Sequence, residues 1–140
     1  MNNVTPPMRH RLWFRVTGIT FLRRVITVGN ERKIAKIATW GEKKKWKKLV
    51  KFVPHKDPEI RAAVATALGP IRVDEAYNAI VDLIRNDDIN VRKAAICALG
   101  VNGRKAGAEH IKNIMTLTIN ESLFPLCQEN IAKIIASDER

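Results

Sequence analysis

The feature that most constrains the fold of this chain is an internal repeat with a period of 31 residues. Residues 57–69 align with residues 88–100, and six of the thirteen aligned positions are identical. A period of this length is typical of proteins built by stacking similar supersecondary units, so the repeat predicts an array. The identical pairs are Asp57/Asp88, Arg61/Arg92, Ala63/Ala94, Ala67/Ala98, Leu68/Leu99 and Gly69/Gly100.

Each repeated segment has the pattern of an α-helix. Asp57 and Asp88 can cap a helix by accepting hydrogen bonds from its first free amides, and Pro58 suits the first turn because it has no amide hydrogen. Apolar residues follow at helical spacing, and many of them are alanine, which permits close contact between helices. Gly69 and Gly100 are predicted to end these helices in the left-handed conformation.

A second helix follows each first helix and repeats with the same period. Its apolar positions define three successive helical hairpins, with residues 30–40 as a less regular first helix. The aligned positions are Trp46, Leu49 and Val50 with Tyr77, Ile80 and Val81, continued by Ile111, Ile114 and Met115. A half-repeat matches at a spacing of 32 and predicts a C-terminal capping helix, through Asn120, Leu123, Leu126, Cys127 and Ile131.

The predicted fold class is therefore all-α, a right-handed α-solenoid of about three helical hairpins with N- and C-terminal capping helices. We predict a basic N-terminal segment, a repeat domain and a short tail. Their bounds are residues 1–29, 30–136 and 137–140, with units at about 30–56, 57–87 and 88–118 and a half-repeat at 119–136.

These motifs resemble the HEAT-repeat family, in particular the short HEAT-like repeats first associated with bilin lyases. The matching segments are Asp57-Pro58-Glu59-Ile60-Arg61, Ala67-Leu68-Gly69 and Asp74-Glu75-Ala76, and the resemblance covers about residues 30–136. It implies that the second helices line a concave surface, and that the motif residues Asp57, Arg61, Asp88 and Arg92 link neighbouring repeats. The first unit lacks this aspartate and arginine, and Phe124 stands where the half-repeat predicts arginine.

The positive charge is concentrated in the N-terminal part of the chain. The net charge of the whole is +11, but residues 1–56 contain 15 Lys+Arg and 2 Asp+Glu, whereas residues 57–140 contain 10 and 12. This asymmetry indicates that the N-terminal part contacts something anionic, whether nucleic acid, an acidic protein surface or a membrane face.

Residues 43–53 combine this excess charge with the pattern of a second helix. On a helical wheel, Trp46, Leu49, Val50 and Val53 cluster on one side and lysines occupy the other, so a solvated lysine face is one interpretation. The other is a binding surface for an anionic partner, in which Trp46 belongs to the core. Its candidate residues are Lys43, Lys44, Lys47, Lys48 and Lys51, with Arg23 and Arg24 from the preceding segment.

Residues 8–28 fit two structures. Leu12, Val16, Ile19 and Ile26 have helical spacing, but the abundance of Val, Ile, Thr, Phe and Trp fits a strand as readily. We favour a capping helix packed on the first repeat, with a membrane-surface or partner-docking segment as the alternative. Arginines at positions 15, 23 and 24 interrupt the most apolar stretch, so no membrane-spanning segment is predicted.

No catalytic or metal-binding pattern accompanies the repeats. Cys97 and Cys127 lie 30 residues apart among apolar residues and are expected to be buried, and the three histidines are scattered. Phosphate-binding and hydrolytic motifs are absent. We predict a chain that is not an enzyme and has no cofactor, since bilin attachment or excision of alkylated DNA bases, known for some HEAT-like proteins, would need site residues missing here.

The predicted function is that of a noncatalytic adaptor that recruits a protein partner, acidic in character, on the solenoid surface. The first alternative is binding of nucleic acid or a ribonucleoprotein through the basic N-terminal half, and the second is an adaptor for anionic membrane surfaces. We expect a cytoplasmic location, and Ile134 and Ile135 suggest a homodimer contact through the C-terminal helix.

Overall fold

The computed structural model describes the backbone of residues 17–139 and the side chains of residues 29–139. It divides the chain into two compact units, Met1–Arg32 and Lys33–Arg140. The described part of the first unit is helical. No strand occurs within residues 17–139, which confirms the prediction of an all-α fold.

Seven α-helices and one 3₁₀ helix make up the described part of the chain. The 3₁₀ helix, Thr118–Leu123, precedes the last α-helix. The α-helices are α1 (Thr17–Glu42), α2 (Trp46–Val50), α3 (Pro58–Leu68), α4 (Asp74–Leu83), α5 (Ile89–Asn102), α6 (Lys105–Met115) and α7 (Phe124–Asp138).

Helix α1 runs without a break through the boundary predicted between residues 29 and 30. The backbone of residues 17–28 is helical, so the strand alternative does not apply to them, whereas residues 8–16 lie outside the described part. Strand propensity is a weak preference that depends on the packing around each residue, which explains why β-branched residues are compatible with this helix.

Within Lys33–Arg140 the helices stack as hairpins, which confirms the predicted solenoid. The first helices of successive units form one layer, in which α3 packs on α5 and α5 packs on α7. The second helices pack beside them, α2 against α4 and α6 against α7. Every unit contributes fully buried residues to one core, including Ile37, Leu49, Ile60, Leu68, Ile80, Leu99, Ile111, Leu123 and Ile134.

The first helices of the second and third units begin with the same hydrogen bonds. The Asp57 carboxylate accepts from the Glu59 amide at 3.0 Å, and the Asp88 carboxylate accepts from the amides of Asn90 and Val91 at 2.8 and 3.1 Å. Both aspartates have extended backbones, as N-cap residues do. Pro58 occupies the first helical turn of α3.

The prediction for the two repeated glycines was wrong. Gly69 has right-handed helical geometry, and Gly100 lies inside α5, which continues to Asn102 and ends at the left-handed Gly103. Both glycines lie where neighbouring helices touch. A Cβ atom on Gly69 would lie 3.2 Å from the Ala98 Cα, and one on Gly100 would collide with the Asn130 side chain. Helix contact, not backbone conformation, requires glycine at these two positions.

Three other residues differ from the sequence expectation. Cys97 is exposed, whereas Cys127 is buried as expected. Ile134 is buried in the core and only Ile135 faces solvent. The adjacent isoleucines therefore point to opposite sides of α7, and the apolar edge expected from the pair is reduced to one residue.

Candidate partner-binding surface

The candidate lysines occupy a tight turn and the short helix that follows it. Lys43 and Lys44 lie between α1 and α2, and Lys44 has a positive φ of 53°. This left-handed residue separates the two helices, so the helix predicted over residues 43–53 is limited to Trp46–Val50. The Lys45 amide closes the turn by donating to the Trp40 carbonyl at 2.8 Å.

Helix α2 and the turns after it bury one side and expose the other. Leu49 is fully buried, and Trp46, Val50 and Val53 are partly buried against the core. The lysines lie on the other side and are all exposed, namely Lys43, Lys44, Lys45, Lys47, Lys48 and Lys51. We call these six residues the lysine cluster.

The aromatic rings beside the lysine cluster are already in contact with other side chains. The Trp40 and Phe52 rings lie 5.6 Å apart, and the Lys48 ammonium lies 5.6 Å from the Trp40 ring centre. The Lys47 ammonium lies 5.6 Å from the Trp46 ring centre. Cation–π contacts of this kind are weak at exposed sites, and here they leave both tryptophans covered in part by the chain's own lysines.

No carboxylate neutralises the lysine cluster within the described part of the chain. Residues 43–56 contain no Asp or Glu, and no ion pair between described residues involves these six lysines. Six exposed like charges on nine residues create a positive potential that attracts an anionic partner and that salt screens.

The positive surface ends at the neighbouring second helix. Helix α4 packs beside α2 and exposes Asp74, Glu75 and Asp82. Asp74 accepts a hydrogen bond from Arg104 at 2.7 Å, whereas the lysine cluster has no equivalent arginine partner in the described residues. The row of second helices therefore changes sign from one unit to the next.

Arg23 and Arg24 are not brought to the lysine cluster by any described contact. Both lie in α1 within the Met1–Arg32 unit, and their side chains are outside the described residues. Their part in an anion-binding surface stays a prediction.

The motif arginines bind backbone carbonyls at the junctions between units. Arg61 donates from Nη1 to the carbonyls of His55 and Lys56 at 2.8 and 3.2 Å. Arg92 donates from Nη1 to the carbonyls of Asn86 and Asp87 at 2.9 and 3.0 Å. In both cases the acceptors lie six and five residues before the arginine, so the contact repeats with the sequence.

Two contacts between units had no signal in the repeat alignment. The buried Asn102 donates from its amide to the carbonyls of Gly69 and Ile71, at 3.1 and 3.3 Å. Arg104 binds Asp74 and lies 5.0 Å from the centre of the Tyr77 ring. A single asparagine or arginine at a helix end carries no periodic signal, so its partner emerges only when the units stack.

The described residues offer little chemistry beyond binding. Burial raises the pKa of the Cys127 thiol, which keeps it protonated at neutral pH and unsuited to nucleophilic attack. Burial also raises the pKa of Tyr77, with nearby Arg104 opposing the shift. Among the described residues, no group of three or more His, Cys, Asp or Glu side chains could hold a metal ion.

Comparison with known protein families decides the classification. A family model described as HEAT repeats matches residues 34–118, which extend from the last third of α1 to the end of the third hairpin. The chain belongs to the HEAT-repeat family. Comparison with curated proteins and with solved structures finds no match.

HEAT membership confirms the resemblance drawn from the repeat motifs. HEAT repeats commonly mediate protein–protein interactions, and proteins built from them are typically noncatalytic scaffolds. Helices of the length and apolar character required to cross a bilayer do not occur in the part of the chain that the structure describes.

Proposed function

We propose that this protein is a noncatalytic adaptor that binds an acidic segment of a protein partner through the lysine cluster. The observation that carries the proposal is the set of six exposed lysines, for which the described part of the chain provides no carboxylate partner. A family that commonly mediates protein–protein interactions supplies the context.

The extent of the positive surface favours a short acidic protein segment over an extended nucleic acid. A nucleic-acid strand carries phosphates at regular intervals, and along the second helices it would pass from the lysine cluster to the acidic residues of α4. Asp74, Glu75 and Asp82 would repel it there. An acidic peptide of a few residues can instead end where the lysines end.

The aromatic residues support the same choice. Proteins that bind single strands generally stack bases on free aromatic faces. Trp40 and Trp46 are partly buried, and each is in contact with a lysine of the cluster. Neither offers the open ring face that a base requires.

Nucleic-acid binding is the second candidate function, because the same lysines could neutralise phosphates without reading a sequence. Its distinguishing property is a steep loss of affinity with salt, since each neutralised phosphate releases counterions. Lys43, Lys44 and Lys48 would be the phosphate contacts in that case.

Fluorescence anisotropy of labelled ligands tests the proposal. The ligands are a glutamate-rich peptide and single-stranded RNA of equal charge, over roughly 50 to 300 mM salt, where screening changes most. The test variant is Lys44→Glu, Lys48→Glu and Lys51→Glu. The matched control carries the same charge change at the exposed residues Lys93, Lys105 and Lys112.

We expect the peptide to bind more tightly than RNA near physiological salt, the cluster variant to lose binding, and the control variant to retain most of it. Tighter binding of RNA with a steep salt dependence would replace the acidic-protein proposal by the nucleic-acid one. Equal losses in both triple variants would contradict both, because net charge alone would then explain the binding.

A further inference from the structure

The junctions between successive units of the solenoid are not equivalent. Between the first and second hairpins, Arg61 spans both connecting loops. Its Nη1 binds carbonyls of the first loop, while its Nη2 donates to Asn86 Oδ1 at 3.3 Å and lies 3.7 Å from the Asp87 carboxylate in the second loop. Arg61 therefore fills this junction and has a carboxylate partner.

Arg92 occupies the same position 31 residues later but completes only half of these contacts. Its Nη1 binds the carbonyls of Asn86 and Asp87, and its Nε has no hydrogen-bond partner. The loop it faces is Leu117-Thr118-Ile119, which supplies neither an amide side chain nor a carboxylate. Arg92 is 8% exposed and forms no ion pair with another described residue.

A pocket of about 560 Å³ lies at this second junction. Arg92 and Asn120 line it together with the apolar side chains of Ile84, Ile114, Leu117 and Ile119. Leu117 and Ile119 are 55% and 72% exposed, so the pocket has an apolar wall open to solvent.

Asn120 adds an unpaired acceptor to the same pocket. Its side-chain nitrogen donates to the Ile114 carbonyl at 2.8 Å, which fixes the orientation of the amide group. Its Oδ1 has no hydrogen-bond partner, and the residue is 2% exposed. Buried polar atoms are normally paired, so an unpaired acceptor beside an unpaired arginine donor is unusual.

We propose that this pocket, which we call the Arg92 pocket, binds the free C-terminus of a partner protein that ends in an apolar residue. Such a chain end combines the three groups that the pocket lacks. Its carboxylate would neutralise Arg92, its last N–H would donate to Asn120, and its side chain would cover Leu117 and Ile119. An arginine that stays charged at all accessible pH values suits a carboxylate in particular.

The inference rests on the proposed function in that the occupant is part of a protein partner, but the two sites are different. The lysine cluster lies in the first hairpin, and the Arg92 pocket lies between the second and third loops. Each can therefore fail without the other.

N-acetylleucine is a minimal probe for the pocket, because it carries an N–H, an apolar side chain and a carboxylate. Its binding to the full chain can be followed by ¹H–¹⁵N NMR up to about 20 mM, the range expected for so small a ligand. N-acetylleucinamide lacks the charge and N-acetylglycine lacks the apolar group. We expect N-acetylleucine to shift amide signals of residues 84–87 and 113–120, and both analogues to bind about tenfold more weakly.

Two surface variants provide the control for folding. Leu117→Ser combined with Ile119→Ser should weaken binding of N-acetylleucine, whereas Val101→Ser, at an equally exposed apolar residue outside the pocket, should not. Arg92→Met should abolish the preference for the carboxylate over the amide. Where Arg92→Met fails to fold, the two surface variants decide.

Equal binding of N-acetylleucine and its amide, or shifts that lie outside residues 84–87 and 113–120, would overturn the proposal. So would the absence of any shift. The lysine-cluster variant Lys44→Glu, Lys48→Glu and Lys51→Glu should bind N-acetylleucine normally. If it does so while the acidic peptide binds neither protein, the proposed function fails and the Arg92 pocket stands.

Discussion

Single residues set the distance between helices in this solenoid. At three successive contacts between first helices, a glycine faces the small or short side chain of the next unit, and a Cβ atom on that glycine would be crowded. The helices approach so closely because no side chain separates them on the glycine side. The pairs are Gly41 with Ala67, Gly69 with Ala98 and Gly100 with Asn130.

Gly100→Ala is expected to destabilise the protein although alanine favours helix. The substitution gains about 1 kcal/mol in helix propensity, but it forces the Asn130 side chain out of its position, which typically costs about 1 to 3 kcal/mol. Urea unfolding followed by circular dichroism measures the net loss in the free energy of unfolding.

Asn130→Ala provides the control, because it restores the glycine–alanine pairing of the other two contacts. In this background Gly100→Ala should cost less, so the two substitutions should not be additive. A cost of Gly100→Ala that is identical with Asn130 or Ala at position 130 would contradict the proposed clash.

At the scale of elements, the connections between hairpins are stabilised by a repeated set of hydrogen bonds. The Asp57 amide donates to His55 Nδ1 and the Asp88 amide donates to Asn86 Oδ1, at 3.0 and 3.1 Å. Each aspartate then caps the following helix. Two residue types accept the same bond in two units, so the geometry of the loop repeats even where its sequence does not.

Asp88→Ala is expected to lower the free energy of unfolding by about 1 kcal/mol, because two amides at the start of α5 lose their acceptor. Asp88→Asn should retain most of the stability, since asparagine is an equally good N-cap. The midpoint of urea unfolding compares the three proteins.

Asp87→Ala is the matched substitution at the neighbouring carboxylate. Asp87 is almost fully exposed, and its ion pair with Arg61 is long at 3.7 Å, so its loss should change stability by less than about 0.5 kcal/mol. Comparable losses for Asp87→Ala and Asp88→Ala would show that charge and not capping determines the effect.

At the scale of the molecule, α7 covers the end of the repeat array. It packs on both α5 and α6, and Cys127, Asn130 and Ile134 are its buried residues. A solenoid unit cannot bury its apolar face alone, so this helix replaces the next hairpin.

Ile134→Ala is expected to destabilise the whole repeat domain by about 2 to 5 kcal/mol, because it opens a cavity in the core. Ile135→Ala, at a side chain that is 52% exposed, should change stability by less than about 0.5 kcal/mol. Thermal unfolding distinguishes the two. Sedimentation of the Ile135→Ala protein also tests the predicted homodimer, which should dissociate if this residue forms the contact.

The sequence by itself determined the fold class, the number of hairpins and the helix starts at Asp57 and Asp88. These features depend on local rules, because apolar spacing and N-cap chemistry act within one helix and the repeat supplies each pattern more than once. The exposed lysines were likewise readable, since their side of the helix follows from the positions of Leu49 and Val50.

The tertiary structure alone decided what depends on contacts between units. The sequence marks Gly69 and Gly100 as helix ends, but stacking makes them contact points with Ala98 and Asn130. It also marks Phe124 as a departure from the arginine of the motif, yet the pocket beside Arg92 arises from the loop that this arginine faces. A contact between units joins residues about 30 positions apart, and no pattern within one helix specifies which side chain the neighbouring unit presents.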